Sequence, residues 1–159
     1  MENLPRLSRS PVFEDISLDD IHNFCAQGRE VSFPQGHVLF VRGQDANELM
    51  LLNEGCIELF CPMDGTGGAS DRDIPLESKN EGDLIAWSAL VKPHIYTLGA
   101  RCVKPCNITT LERKSVEEYF EHHPQVGYLF MRNLAGVAGS RLNHMFDIWV
   151  RDLRDAARA

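Results

Sequence analysis

Cysteine and histidine side chains are the residues of this sequence best suited to metal or haem chemistry. The five cysteines show no C-x-x-C spacing, and Cys102 and Cys106 have no second pair to complete a tetrahedral zinc site. Residues 1–24 contain no cysteine that could hold an iron–sulfur cluster near the N-terminus. Several side chains have the chemistry of an axial haem ligand, and no pattern selects among them: His37, His94, His144, Cys56 and Cys102. The sequence therefore predicts neither a metal site nor haem, and we expect reduced thiols.

Motifs of known catalytic sites do not occur in the sequence. It contains no G-x-S-x-G elbow, no P-loop, no H-E-x-x-H pair and no recognisable Cys/His nucleophile pair. The adjacent acids Asp19-Asp20 and Glu117-Glu118 lie at predicted helix starts, where carboxylates stabilise the helix dipole. We therefore expect a protein that is not an enzyme.

Length and composition favour one folded domain. The 159 residues are 43% hydrophobic, which is enough to bury a substantial core. A formal net charge of −7 with scattered basic residues argues against direct nucleic-acid binding by this chain. No run approaches the roughly 18 apolar residues of a membrane span, and the first ten residues lack a signal peptide's apolar core. We expect a cytoplasmic protein without membrane contact.

Local patterns divide the chain into a helical start, a β-rich body and a helical end. Ser17 followed by two aspartates has the pattern of a capped helix. In the β-rich body, short apolar runs alternate with turns, and Gly36, Gly43 and Gly55 lie where turns favour a positive φ. This spacing predicts a wound antiparallel roll or sandwich, with a polar loop at residues 62–73. The three predicted parts are residues 1–29, 30–114 and 115–159.

Two helices are predicted after the strands. Ser115 and Glu118 have the spacing of a capping box, which predicts a short helix that ends before Pro124. From Gln125 almost to the end there is no proline, so a second helix of about 33 residues, roughly 50 Å long, is predicted. Such a helix is longer than the β-rich body needs.

The long helix carries an apolar stripe with heptad spacing. The stripe consists of Ala135, Gly139, Leu142, Phe146, Trp149, Leu153 and Ala156. Because an exposed Phe and Trp would be unfavourable, we predict a homodimer in which two copies of this helix pack about a two-fold axis. The alternative is that the stripe packs on the roll or on a domain outside this chain.

The whole pattern resembles the cyclic-nucleotide-binding domain of bacterial regulators of the catabolite-activator and fumarate-nitrate-reductase type, from about Pro11 to about Leu142. PVFEDIS at residues 11–17 is similar to the family's opening, FPQGHVLFVRG at 33–43 to its first strand pair, and LLNEG at 51–55 to the turn that follows. The resemblance implies a mainly β fold with flanking helices. It would be a double-stranded β-helix, a jelly-roll-like β-roll, followed by a long C-terminal dimerisation helix.

The segment GDLIAWSAL matches the family's phosphate-binding cassette, and the resemblance implies a small-molecule site there. Its residues would be Gly82, Asp83, Leu84, Ile85, Ala86, Trp87, Ser88, Ala89, Tyr96 and Thr97. The family supplies an Arg for the cyclic phosphate and a Glu for the ribose 2′-hydroxyl, whereas the matching positions here hold Tyr96 and Trp87. Candidate replacement cations are Lys92, His94 and Arg101. Backbone amides near residues 85–89 and the Thr97 hydroxyl retain anion-binding chemistry.

Three functions are consistent with this resemblance. The first is a sensory domain for a different ligand, planar or hydrophobic, that stacks on Trp87 and hydrogen bonds to Tyr96 or Thr97. The second is ordinary binding of cyclic AMP or cyclic GMP, and the third is a ligand-free dimerisation or interaction module in which both aromatic residues fill the cavity. The sequence ends at Ala159 without the helix-turn-helix domain of the family's transcription factors. We therefore expect a lone sensory domain or part of a longer regulator.

Overall fold

The body of the protein is a β-roll built from two antiparallel four-stranded sheets. The computed structural model describes residues 7–63 and 72–158, so part of the predicted loop, residues 64–71, lies outside the described residues. The strands are β1 (Arg29–Phe33), β2 (Val38–Phe40), β3 (Glu48–Glu54), β4 (Ile57–Cys61), β5 (Ile74–Lys79), β6 (Leu84–Ile85), β7 (Gly99–Cys102) and β8 (Cys106–Glu112). The order is β1-β8-β3-β6 in one sheet and β2-β7-β4-β5 in the other. The predicted β-roll is confirmed.

The N-terminal segment forms a 3-10 turn at Pro11–Phe13 and helix α1 at Leu18–Cys25. The Ser17 side chain accepts a hydrogen bond from the backbone N–H of Asp20 at 3.1 Å, which confirms the predicted N-cap. At the β3–β4 turn, Gly55 has a φ of +106°, and a Cβ there would lie 2.5 Å from a backbone carbonyl oxygen. The turn therefore requires glycine.

Helix α2 (Arg113–His122) begins three residues earlier than predicted. Its N-cap residue is Glu112, whose side chain makes no capping hydrogen bond, so the capping-box prediction for Ser115 is wrong. The cause lies in the sheet, because β8 continues to Glu112 and the backbone N–H of Arg113 donates to the Asn47 carbonyl oxygen at 2.8 Å. The strands accordingly span residues 29–112, and the predicted end of the helix before the next proline is confirmed.

Alternating side chains of β3 contribute to two separate hydrophobic clusters. Leu49 and Leu51 belong to a cluster between the β1-β8-β3-β6 sheet and the helices, here called the helix cluster. Met50 and Leu52 belong to a cluster inside the roll, here called the roll cluster. Other members of the helix cluster include Phe24, Leu111, Tyr119, Phe130 and Leu134, and other members of the roll cluster include Phe40, Leu59, Ala86, Tyr96, Ala100 and Ile108.

Helix α3 (Pro124–Arg158) is a single helix of 35 residues, and its burial is confined to the first three turns. There the Asn133 side-chain amide donates to the backbone carbonyls of Val12 and Glu14 at 3.2 and 2.7 Å, which joins the helix to the N-terminal segment. After Leu134, the described residues of α3 are half-buried or exposed. None of the helices in the described part of the chain is long and apolar enough to cross a membrane.

Candidate ligand-binding site

The cassette segment begins with a tight turn that is fixed to β3. The backbone N–H of Gly82 donates to the Leu52 carbonyl at 2.8 Å, and the N–H of Leu52 donates to the Asp83 carbonyl at 3.0 Å. The Asp83 carboxylate accepts the N–H of Asn80 at 2.8 Å. Gly82 has a φ of +91°, which glycine adopts without strain. These contacts set the direction in which the following residues leave the sheet.

A short 3-10 helix at Trp87–Leu90 follows β6 in the cassette. Ala86 precedes it with a φ of +61°, a left-handed conformation that costs an L residue about 1 kcal/mol. The N–H of Ala89 donates to the Ala86 carbonyl at 3.0 Å, so this amide, one of those expected to receive an anion, already has a partner. Ser88 is half-buried.

Tyr96, which the resemblance matched to the family's Arg, is buried inside the roll. Its ring stacks on Phe40 with the centroids 3.9 Å apart and an angle of 16° between the planes. Its hydroxyl donates to the Glu48 backbone carbonyl at 3.4 Å. Burial raises the pKa of Tyr96, and the negative charge of Glu48 raises it further. The hydrogen bond to the Glu48 carbonyl lowers the pKa, but by less than burial raises it. The side chain is therefore a neutral hydrogen-bond donor.

Trp87, which the resemblance matched to the family's Glu, lies elsewhere. It is half-buried and, like Leu90, packs against the helix cluster, whereas Tyr96 belongs to the roll cluster. Thr97, next to Tyr96, is exposed. The structure thus brings Gly82 to Ala89 together as one cassette, but it does not place the two aromatic rings in one cluster.

The three candidate replacement cations have other surroundings. Arg101 donates to the Glu58 carboxylate at 2.6 and 2.9 Å, and its guanidinium carbon lies 5.1 Å from the Phe60 ring centroid. Because Ala100 and Cys102 face the roll cluster, the side chain of Arg101 between them points to the opposite face of the sheet. His94 and Lys92 follow the cassette, where the His94 Nδ1 lies 3.0 Å from a backbone carbonyl and Lys92 is exposed.

Two clefts border this region. The smaller, about 200 Å³, lies where the N-terminal segment meets Gly82 and Asp83. The larger, about 580 Å³, lies at the end of the roll where β3 and β8 meet α2, and is here called the β3–α2 cleft. It is lined by Asp45, Asn47, Glu48, Tyr96, Glu112, Arg113 and Lys114.

Most residues of the β3–α2 cleft escaped the sequence analysis. Glu112 is far from Asp45 and Glu48 in the chain, and the pairing of Glu48 with Glu112 across β3 and β8 brings them together. Phe40 lay within a predicted strand, but its contact with Tyr96 depends on how β2 pairs with β7. No local pattern in the sequence signals either arrangement.

Metal chemistry has no site among residues 7–63 and 72–158. Within those residues no group of three or more His, Cys, Asp or Glu side chains could hold a metal ion. The five cysteines are free thiols, and burial raises the pKa of Cys25 and of Cys102 to about 12. Both thiols are therefore protonated near neutral pH and are poor nucleophiles.

The predicted apolar stripe on α3 is exposed along its whole length. Leu142 is 52% exposed, Phe146 49%, Trp149 59% and Leu153 53%, and Met131 extends the stripe toward the N-terminus of the helix. Ala135 and Gly139 are exposed as well. About half of each large side chain remains open to solvent, so within the described residues the stripe is not buried against the roll.

Comparisons with known proteins agree with this fold. A CRP-like cAMP-activated global transcriptional regulator from Mycobacterium tuberculosis is 20% identical over 147 residues, which cover 92% of this chain and 63% of the relative. The chain thus spans less than two thirds of the length of the curated relatives that it matches. The Thermus thermophilus catabolite activator protein has the same fold, with a TM-score of 0.74 at 22% identity over 90% of this chain and 62% of that one.

A second solved structure matches this chain over nearly its own full length. It is a proposed cyclic nucleotide-binding protein from Geobacter metallireducens GS-15, with a TM-score of 0.70 and 29% identity over 89% of this chain and 99% of that one. The family model for the cyclic nucleotide-binding domain matches residues 30–123, from β1 to the end of α2. This chain therefore belongs to the cyclic nucleotide-binding domain family, of the type found in CRP-like regulators.

Proposed function

We propose that this chain is a homodimeric regulatory domain whose roll is closed to cyclic nucleotides by its own aromatic side chains. The observation that carries this proposal is Tyr96, which is 6% exposed and stacks on Phe40 inside the roll. A ligand with an anionic phosphate would meet a neutral phenol where the family presents a guanidinium. It would also have to displace a packed ring.

The energetic cost of this replacement is substantial. Loss of a charged hydrogen-bonding partner in a buried site costs about 1.5–3 kcal/mol, which is roughly a ten- to hundredfold loss of affinity. Arg101 does not compensate, because its guanidinium is engaged by Glu58 on the opposite face of its sheet. Trp87 supplies no carboxylate and packs toward the helices. Together these features support a roll without tight cyclic nucleotide binding.

The homodimer is supported by the exposed stripe on α3. Its four large members are each about half exposed, and a Cβ built on Gly139 would meet no atom within 4 Å. A second copy of the helix would cover the stripe by a symmetric contact, and the small residues would let the two backbones approach closely. We propose further that this domain makes no direct contact with nucleic acid, given its net charge of −7.

A sensory role for a different ligand is the second candidate function. The Phe40–Tyr96 stack supports it, since a planar neutral molecule could replace one ring against the other without a charged partner. The two candidates differ in one respect. A sensor must open its roll to admit a ligand, whereas the roll of the first candidate stays closed.

Thermal-shift and calorimetric titrations separate these functions. We expect no shift of the wild-type melting temperature with cyclic AMP, cyclic GMP or aromatic acids at about 1 mM. A ligand with a Kd of about 1 μM would instead stabilise the fold by about 4 kcal/mol at that concentration. Tyr96→Arg is the matched variant, and we expect it to gain affinity for cyclic AMP. Micromolar binding of a cyclic nucleotide to the wild type would refute the proposal, and binding of an aromatic acid alone would favour the sensor.

A further inference from the structure

The β3–α2 cleft has the size and chemistry of a small-molecule site outside the roll. Its volume of about 580 Å³ falls within the range of roughly 300–1,000 Å³ that is usual for such sites. One wall is the edge of the β3–β8 pair at Glu48 and Glu112, and another is the first turn of α2. Tyr96 lines the cleft from the side of the roll.

The Tyr96 hydroxyl is a buried donor with a poor acceptor. Its distance of 3.4 Å to the Glu48 carbonyl exceeds the roughly 2.5–3.0 Å that is usual for an O–H···O hydrogen bond. A buried polar group normally has a well-placed partner, because leaving it unsatisfied is costly. An acceptor atom of a ligand in the cleft would supply that partner.

Two basic side chains, Arg113 and Lys114, line the same cleft as this hydroxyl. Among the residues that the structure describes, the Arg113 guanidinium donates only to the neutral Asn47 side-chain oxygen, at 3.3 Å, which leaves further N–H donors for an anion. Lys114 is exposed next to it. The N-cap side chain of Glu112 leaves the start of α2 uncapped, and a helix N-terminus favours negative charge. These groups suit a carboxylate.

Acidic groups complete the cleft. Glu48 is neutralised by Arg29, whose Nη2 lies 2.8 Å from its carboxylate. Across residues 7–63 and 72–158, neither Asp45 nor Glu112 takes part in an ion pair within 4.0 Å. The cleft is therefore lined by two acids outside the described ion pairs and by two bases, which suits a molecule that carries both charges.

We propose that the β3–α2 cleft binds a small zwitterion of the α-amino acid class. Its carboxylate accepts hydrogen bonds from the Tyr96 hydroxyl and the Arg113 guanidinium, and its ammonium group donates to Asp45 or Glu112. The inference goes beyond the proposed function, because it concerns binding outside the roll. It shares with the proposed function only the position of Tyr96, and separate titrations distinguish the two.

Chemical-shift mapping of the full chain tests this site. The probe is a mixture of the twenty standard amino acids at about 1 mM each. Acetate and ethylamine are titrated in separate samples, each at the total amino-acid concentration of the mixture. We expect the backbone amides of Ala46, Asn47, Arg113 and Lys114 to shift with the mixture, and much less with either single-charge compound. Equal shifts with acetate alone, or no shifts with the mixture, would overturn the proposal.

Two tyrosine variants sharpen the test. Tyr96→Phe removes the hydroxyl but keeps the ring on Phe40, and we expect binding to weaken about five- to tenfold. Tyr128→Phe removes the hydroxyl of an exposed tyrosine on α3 and should leave binding unchanged. Equal affinity of wild type and Tyr96→Phe would contradict the proposed contact. Cyclic AMP binding in a separate titration would refute the closed roll and leave these amide shifts to decide the cleft.

Discussion

Truncation of the two aromatic residues on α3 is the most direct test of the proposed dimer. Phe146 and Trp149 are 49% and 59% exposed in the single chain, and their ring centroids lie 6.5 Å apart. The perturbation is the double substitution Phe146→Ala with Trp149→Ala. Neither side chain contributes to the helix cluster or the roll cluster, so we expect the domain fold to remain intact.

The expected loss follows from the area that a partner helix would cover. Aromatic side chains bury about 150–250 Å² each when fully covered, so the exposed half of each ring offers roughly 100 Å². At about 25 cal/mol per Å², that amounts to roughly 2.5 kcal/mol for each side chain. A two-fold interface contains both side chains twice. Even if the partner covers only half of this area, the dimer should weaken by about 5 kcal/mol, more than a thousandfold in Kd.

Sedimentation velocity over about 1–100 μM is the assay, because a dimer with a Kd of about 1 μM forms in that range and one weakened a thousandfold does not. We expect a wild-type dimer and a monomeric double variant. Leu18→Ala is the matched control, because Leu18 is 57% exposed on α1, away from the stripe, and its loss should not change the sedimentation coefficient. A wild type that remains monomeric, or a double variant that sediments like the wild type, would refute the proposed interface.

Three further predictions concern stability. Gly99→Ala should destabilise the fold by about 1–3 kcal/mol in urea unfolding, because a Cβ there would lie 2.3 Å from the Phe60 ring. The control Gly136→Ala, where a Cβ meets nothing within 4 Å, should stabilise the fold by up to about 1 kcal/mol. A greater stability of Gly99→Ala than of Gly136→Ala would contradict this packing. Ala86→Gly relieves the φ of +61° but removes a buried methyl group from the roll cluster. These two effects of about 1 kcal/mol each should nearly cancel in urea unfolding, and a loss of more than about 2 kcal/mol would contradict the strain at Ala86. Burial raises the pKa of Cys25 from 9.0 to about 12. Between those pH values the folded state keeps a proton that the unfolded chain loses, so the free energy of unfolding falls as the pH rises. Cys25→Ala should reduce that fall by up to about 1.4 kcal/mol per pH unit, and identical stability–pH profiles of variant and wild type would contradict this.

Features that depend on neighbouring residues could be predicted from the sequence. The Ser17 cap needs only the residues that follow it, and Gly36 and Gly55 mark turns whose positive φ is a local requirement. The order of short strands with such turns then indicated the roll. The long helix could be predicted in the same way, because the absence of proline and a heptad spacing are properties of a single segment.

Features that depend on strand pairing could not be predicted. The Ser115 capping box had the correct spacing, but the pairing of β8 with β3 carries the strand to Glu112 and starts the helix earlier. Likewise, the cassette alignment placed Trp87 and Tyr96 at ligand positions without showing that they belong to different clusters. The stacking of Tyr96 on Phe40 joins distant segments of the chain, and it fills part of the roll with two aromatic rings.

The free length of α3 has a mechanical consequence. The helix is held at its base by Asn133 and farther along by Arg141, whose Nη2 lies 3.5 Å from the Glu77 carboxylate of β5. The 17 residues from Leu142 to its described end form a stiff arm of roughly 26 Å. A tilt of about 5° at Arg141 would displace the tip by about 2 Å, enough to break side-chain contacts there. Small movements of the helix against the roll are thus amplified toward its end.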